Sequence, residues 1–311
     1  MEYDEYYYSN HTNTWEDEDY HYSPPVFRTV LLSLMTAIAL LANIILLVVL
    51  CSAPSSLNNT SNIIFLQRAI ADLFSSIAMI FFTAGVALPD IMVTGTCITF
   101  SVILHVGALA SNVFLMAFGV DSYLAAYPQH HPHPSRRKSV RMTSALAWVL
   151  AAATGIAAII LTERKRSACS VRPFFSAGDF YLKAIDLFVM FIVPLVVTWV
   201  LVSVALPPQP YSLSAEATEP GERGTNRCLM LSLTSTFTIT YGLFWIFEII
   251  IYFGYYTDRL AIIHYIVITL PTLSEALSPI LVICLTENLR QKVAGWLPSH
   301  RHSASLPLGE L

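Results

Sequence analysis

The chain has 311 residues, of which 55% are hydrophobic and only 12% charged, with a formal net charge of −4 and a mean hydropathy of +0.59. A water-soluble domain carries about 25% charged residues, so this composition excludes an ordinary soluble globule. Apolar runs of about 20 residues suit helices crossing a hydrocarbon core of ~30 Å. They are too long and too continuous for the alternating strands of a barrel, so the expected fold class is an all-α membrane protein.

Residues 1–25 form an acidic, tyrosine-rich tail holding Glu2, Asp4, Glu5, Glu16, Asp17, Glu18 and Asp19, with no Lys or Arg in the first twenty positions. Its polarity predicts a solvated, disordered segment. No basic stretch precedes a short apolar core, so no cleavable signal peptide is expected. Seven spans follow at roughly 26–51, 62–88, 97–127, 142–162, 180–206, 228–254 and 260–285, together one domain over 26–285. Breakers such as "SAPSSLNN", "PQHHPHPSRR" and "PPQPYSLSAEATEPGERG" separate them. No internal repeat is evident, which weighs against repeat-built transporters.

Lys and Arg near the span ends set orientation. With the N-terminus outside, Arg68, Arg136, Arg137, Lys138, Arg141, Arg223, Arg227, Arg290, Lys292 and Arg301 lie on the inner side. Arg28, Arg164, Lys165, Arg166, Arg172 and Arg259 lie on the outer side, with Lys183 close to it. The sequon "NHT" at Asn10 agrees, because glycosylation is lumenal. Asn58 and Asn59, in "NNTS", fall on the inner side and are expected to stay bare. After the seventh span, residues 286–297 align Leu289, Val293, Trp296 and Leu297 on one stripe. That pattern predicts an amphipathic surface helix, the alternative being a frayed tail. Residues 298–311 form a short cytoplasmic tail with few hydroxyls, Ser303 and Ser305 the last of them, too few for strong phosphorylation-dependent arrestin recruitment.

Particular residues add to this outline. Asn43 stands in "LLANIILLV", Asp72 in "AIADLF", Cys97 at the start of the third span and "DSY" at 121–123 near its end. Trp148, Pro194 in "FIVPLVV", Trp245 in "LFWIF" and "SPILV" at 278–282 complete the set. In order and spacing these resemble a rhodopsin-like (class A) G-protein-coupled receptor over about residues 26–297. "FIVPL", "DSYLAAY" and the acidic tyrosine-rich tail resemble chemokine receptors, and the altered switch residues resemble the chemokine-receptor homologues that herpesviruses encode.

The resemblance implies a seven-transmembrane helix bundle with a short C-terminal amphipathic helix, in a host cell plasma membrane. It implies a disulfide between Cys97 and Cys169, in keeping with an oxidising exterior, while Cys51, Cys228 and Cys284 are expected as free thiols. The second bridge usual in chemokine receptors has no cysteines to form it here. Tyr3, Tyr6, Tyr7, Tyr8, Tyr20 and Tyr22 are sulfation and ligand-contact candidates. Such a tail would steer a basic protein by long-range attraction; otherwise it merely solubilises.

Ionisable groups inside spans are costly and mark function. By resemblance Asn43, Ser111, Ser274 and Ser278 surround Asp72 as a sodium pocket, to which this chain adds Glu275 and Arg68. A sodium ion at Asp72 competes with an internal Arg68–Asp72 pair at i, i+4 spacing. His105, Asp186, Glu248, His264 and Tyr265 are expected to face the ligand cavity and receive a cationic group, the plainer reading being a water-filled vestibule. At the G-protein-facing end, Asp121, Ser122, Tyr123, Arg136, Arg137 and Arg227 are the candidates. Ser122 stands where the family has arginine, Val202 and Val282 where it has tyrosines, and Phe247 where it has proline. Asp121 is expected to draw on Arg136, Arg137 or Arg141 instead.

The implied partners are a chemokine or other basic secreted protein, a heterotrimeric G protein, membrane lipid and a second receptor as a dimer; no cofactor and no nucleic acid is expected. A signalling receptor, with high basal activity if its off-state lock is missing, competes with a non-signalling scavenger, decoy or modulator of other receptors. An enzyme is not expected: no GxSxG or paired catalytic carboxylates occur, and His105 and His264 lack ligand-spaced partners for zinc. A retinal protein is excluded because the seventh span has no lysine.

Overall fold

The computed structural model describes residues 25–52, 59–88, 93–126, 133–165, 168–171, 184–205, 220–252, 263 and 266–296. In chain order the helices are α1 (Pro25–Cys51), α2 (Thr60–Ala87), α3 (Thr94–Ala126), α4 (His133–Leu161), α5 (Val193–Ala205), α6 (Pro220–Tyr252), α7 (Leu270–Leu285) and α8 (Glu287–Trp296). Six helical stretches, α1 to α6 with the fifth running over Ala184–Val204, are long and apolar enough to cross a membrane, or seven when α7 and α8, bent apart by 95°, are taken as one broken span. The bend and the burial of Leu289 between exposed neighbours make α8 the amphipathic helix expected from its sequence, docked on α1 and α7. The protein is an all-α membrane bundle.

Two helices begin earlier than the hydropathy suggests. α4 starts at His133 rather than near 142, and α6 at Pro220 rather than near 228. Pro134 and Pro220 stand in the first helical turn, where a missing N–H costs nothing, so the polar prolyl stretches open helices instead of interrupting them. Between the fourth and fifth expected spans, an antiparallel hairpin pairs β1 (Thr162–Lys165) with β2 (Ala168–Val171), Arg164 opposite Cys169. α2 begins at an N-cap: the Asn59 side chain accepts from the Ser61 N–H at 3.0 Å, satisfying an otherwise open donor.

α3 is the axis of the bundle, packing on α2, α4, α5, α6 and β1. In its span 61% of residues are buried against 22% for α4, which turns most of its surface to lipid. Gly107 allows the closest approach: a Cβ there would lie 2.5 Å from Ser75 Oγ and 2.8 Å from the Ala71 carbonyl of α2. Phe114 of α3, fully buried, meets the Trp148 ring of α4 at 5.9 Å, while the Trp148 indole N–H donates to Gln67 Oε1 at 2.8 Å.

A π-helical turn, Phe188–Ile192, precedes α5. Pro194 has no N–H for the Met190 carbonyl in α register, and Asn112 Nδ2 of α3 donates to that carbonyl at 2.9 Å. A side chain of the axial helix thus supplies a bond that the proline withholds.

Candidate functional site

Three polar constellations lie along the bundle. At its middle, Asp72 and Arg68 stand one helical turn apart on α2 and face the same way because of their i, i+4 spacing. Asp72, Arg68 and Glu275 are 1%, 6% and 5% exposed. Arg68 Nε lies 3.9 Å from Asp72 Oδ2, and Arg68 Nη2 donates to Ser278 Oγ of α7 at 2.8 Å. Ser278 in turn donates to the Ser274 carbonyl at 2.8 Å. Asn43 Nδ2 donates to its own helix at Ala39 and across to the Glu275 carbonyl at 3.2 Å, tying α1 to α7. The Ser111 hydroxyl faces Asp72, and that of Ser75 faces Glu275. Asn43, Asp72, Ser111, Ser274, Glu275, Ser278 and Arg68 are therefore all brought together, with two carboxyl groups and a guanidinium in one pocket.

At the α8 end, Asp121 is 1% exposed and its carboxylate accepts five contacts from three side chains. Thr60 Oγ1 donates at 2.9 and 3.0 Å and Ser61 Oγ at 2.8 Å, both from the first turn of α2. Arg136 of α4 completes the cage, its Nη2 2.8 Å and its Nε 3.2 Å from Asp121 Oδ1, with Nη2 also 3.1 Å from Thr60. Of the three arginines expected to compete for Asp121, Arg136 holds it. The early start of α4 is what carries Arg136 there. Beside the cage, Ser122 Oγ and Arg137 Nε are buried with no hydrogen-bond partner among the described residues. Val202 and Val282 are buried at 2% each, filling with hydrocarbon the places that the family resemblance assigns to tyrosine.

At the hairpin end a cavity of about 260 Å³ opens among α2, α3, α6, α7 and the segment leading into α5. Phe82, Phe100, Phe244 and Trp245 give it aromatic walls, and His105, Asp186 and Glu275 are its ionisable groups. His105 Nδ1 lies 2.7 Å from the Ser101 carbonyl; a carbonyl only accepts, so Nδ1 carries the proton and Nε2 is the nitrogen left for other contacts. The Trp245 indole N–H is buried without a partner among the described residues. Glu248, expected to face the ligand cavity, is not among the described residues that line this one; Phe244 and Trp245, about a turn earlier on α6, form that wall. Glu275 spans two sites: it faces Ser75 in the middle pocket and forms part of the cavity floor.

Cys97, fully buried where α3 begins, is disulfide-bonded, whereas Cys51, Cys228 and Cys284 are free. Cys169 belongs to β2, but its side chain, like Asn10, Tyr3, Tyr6, Tyr7, Tyr8, Tyr20, Tyr22, His264 and Tyr265, lies outside the described residues. Tyr123 is half-buried near the α3 terminus, and Arg227 is half-buried on α6.

Sequence reasoning missed Thr60, Ser61 and Asn112. The two hydroxyls entered only as part of the sequons in "NNTS", and only the fold sets them against Asp121. Asn112 carried a usable signal: an amide next to Ser111 in an apolar run must find a partner.

A search among curated proteins found no significant match. A family model described as "7 transmembrane receptor (rhodopsin family)" matches residues 42–281, which take in the middle pocket, the Asp121 cage and the cavity. The chain belongs to the rhodopsin family of seven-transmembrane, G-protein-coupled receptors.

Proposed function

We propose that this receptor sits in a plasma membrane with its acidic tail and hairpin end outside, binds a basic secreted protein of the chemokine kind, and couples to heterotrimeric G proteins through its α8 end. The observation that carries the coupling half is the Asp121 cage. Ser122 cannot supply the restraint that an arginine at that position would give, yet Asp121 is held by Arg136, Thr60 and Ser61. A buried carboxylate caged across three helices would serve as a switch by opening on activation, since coupling needs an element with two arrangements. This favours a receptor whose off state is restrained in a new way over one with no lock at all.

The ligand half rests on charge. An acidic tail attracts a basic protein at long range, speeding encounter in a salt-dependent way. Asp186 at the cavity gives a basic group of that ligand an anionic partner. A disulfide of Cys97 with Cys169 would hold the hairpin beside the cavity mouth, since β1 packs on α3.

The competing reading, a scavenger that binds without coupling, is favoured by Ser122, which offers no cation to reach into a G protein. Expression in cells with sensors for each G-protein family separates the two. Ligand-independent or chemokine-stimulated activation above mock-transfected cells is the expected result. Silence in every family alongside measurable chemokine uptake transfers the assignment to the scavenger.

A further inference from the structure

We propose that Arg68 is the resident cation of the middle pocket, so that this receptor takes no sodium ion at Asp72. Sodium is the ion that the family resemblance implies there, and the residues present do not fit it. Two of the pocket oxygens that would ligate it already face a guanidinium: Arg68 Nε lies at an ion-pair distance of 3.9 Å from Asp72 Oδ2, and Arg68 Nη2 donates to Ser278 Oγ at 2.8 Å. The Ser278 hydroxyl gives its own proton to the Ser274 carbonyl at 2.8 Å, so its lone pairs are the part turned to Arg68.

A guanidinium and a sodium ion bring the same unit charge but opposite demands. The guanidinium offers only donors, whereas a hard cation needs several oxygens converging on one point. A second cation among these atoms would meet a like charge at close range in a medium that screens poorly. Tethering strengthens the case: the backbone places Arg68 one turn from Asp72, so it competes for the site intramolecularly. At 6% exposure it has no alternative solvent contact of any size.

The consequence concerns how the pocket is controlled. A diffusible ion leaves when its concentration falls, whereas Arg68 stays and links α2 to α7 at every sodium concentration. The acceptors left over are Asp72 Oδ1, Asn43 Oδ1 and Glu275 Oε2, which have no hydrogen-bond partner among the described residues. With Ser75 Oγ they mark where, among the described residues, an ion would still find oxygen, so the test must include Glu275.

The experiment needs neither ligand nor G protein, so its failure leaves the coupling proposal standing. Melting of the purified full-length chain is compared in sodium, potassium and choline chloride at equal ionic strength. The natural chain should show no sodium-specific shift. Arg68→Leu, which vacates the pocket, should gain one of several degrees, and adding Asp72→Asn should abolish it. Arg68→Gln, which keeps a donor for Ser278 without the charge, serves if Arg68→Leu does not fold. A sodium-specific shift in the natural chain, lost with Asp72→Asn or with Glu275→Gln, overturns the proposal. So does a folded Arg68 variant that remains indifferent to sodium.

Discussion

Removing Arg136 tests whether the Asp121 cage restrains the receptor. Arg136→Ala leaves a carboxylate that is 1% exposed with two hydroxyl donors and no countercharge. Breaking a buried ion pair by deleting one partner costs about 3–5 kcal/mol. The Arg136 side chain is 18% exposed, so water will enter the vacated space, and the low end, about 3 kcal/mol, is the better figure. If the signalling arrangement lacks the cage, the equilibrium between the two arrangements moves by roughly 100-fold. An active population of about 1% would then become about half. The assay is basal G-protein activation normalised to surface receptor, with melting of the purified chain as a second readout. Activation should rise steeply while the melting temperature falls. Asp121→Asn should raise it as well, and the double variant should fall well short of the sum, because the two residues act as one contact. Unchanged basal activation at equal surface level, in a chain that does melt earlier, would refute the switch role and leave the cage as a structural clasp only.

Other substitutions probe the scaffold. Gly107→Val puts carbon against the α2 backbone, 2.6 Å from Ser75 N; the helices must separate, and we expect a loss of about 1–3 kcal/mol or more, read as poor surface expression and a lower melting temperature. Asn112→Leu leaves the Met190 carbonyl without its donor from α3 and should cost about 1–3 kcal/mol, measured by thermal unfolding. Cys97→Ser should destabilise by about 2–4 kcal/mol, with Cys169→Ser matching it and Cys51→Ser close to neutral; peptide mapping under non-reducing conditions identifies the partner directly. Raising salt should slow association of a basic ligand much more than it speeds dissociation, in surface-plasmon measurements on the immobilised receptor.

Much of the architecture was legible before any coordinates. Lipid accepts only backbone that satisfies its own hydrogen bonds, so long apolar runs could be little else than spanning helices. The amphipathic stripe through Leu289 and Val293 had to lie along a surface. Asp72 and Arg68 could be paired from sequence alone because the helix repeat fixes residues four apart on one face. Span ends were less legible, since hydropathy measures the membrane and not the helix: α4 and α6 run on through polar, proline-opened turns that no apolar average detects.

The partners that join different helices were decided by the tertiary structure. That Arg136, and neither Arg137 nor Arg141, reaches Asp121 depends on the rotation of α4 against α3, and a single residue's step turns a helix side chain by about 100°. Thr60 and Ser61 meet Asp121 only because α2 begins beside the end of α3. Asn112 finds Met190 because Pro194 leaves a carbonyl open across a packed interface. Sequence by itself determined a helical membrane receptor frame and the charges it must hold inside; the packing of helices distant in sequence determined which of those charges meet, because a one-dimensional repeat fixes the face of a helix but not what that face will touch.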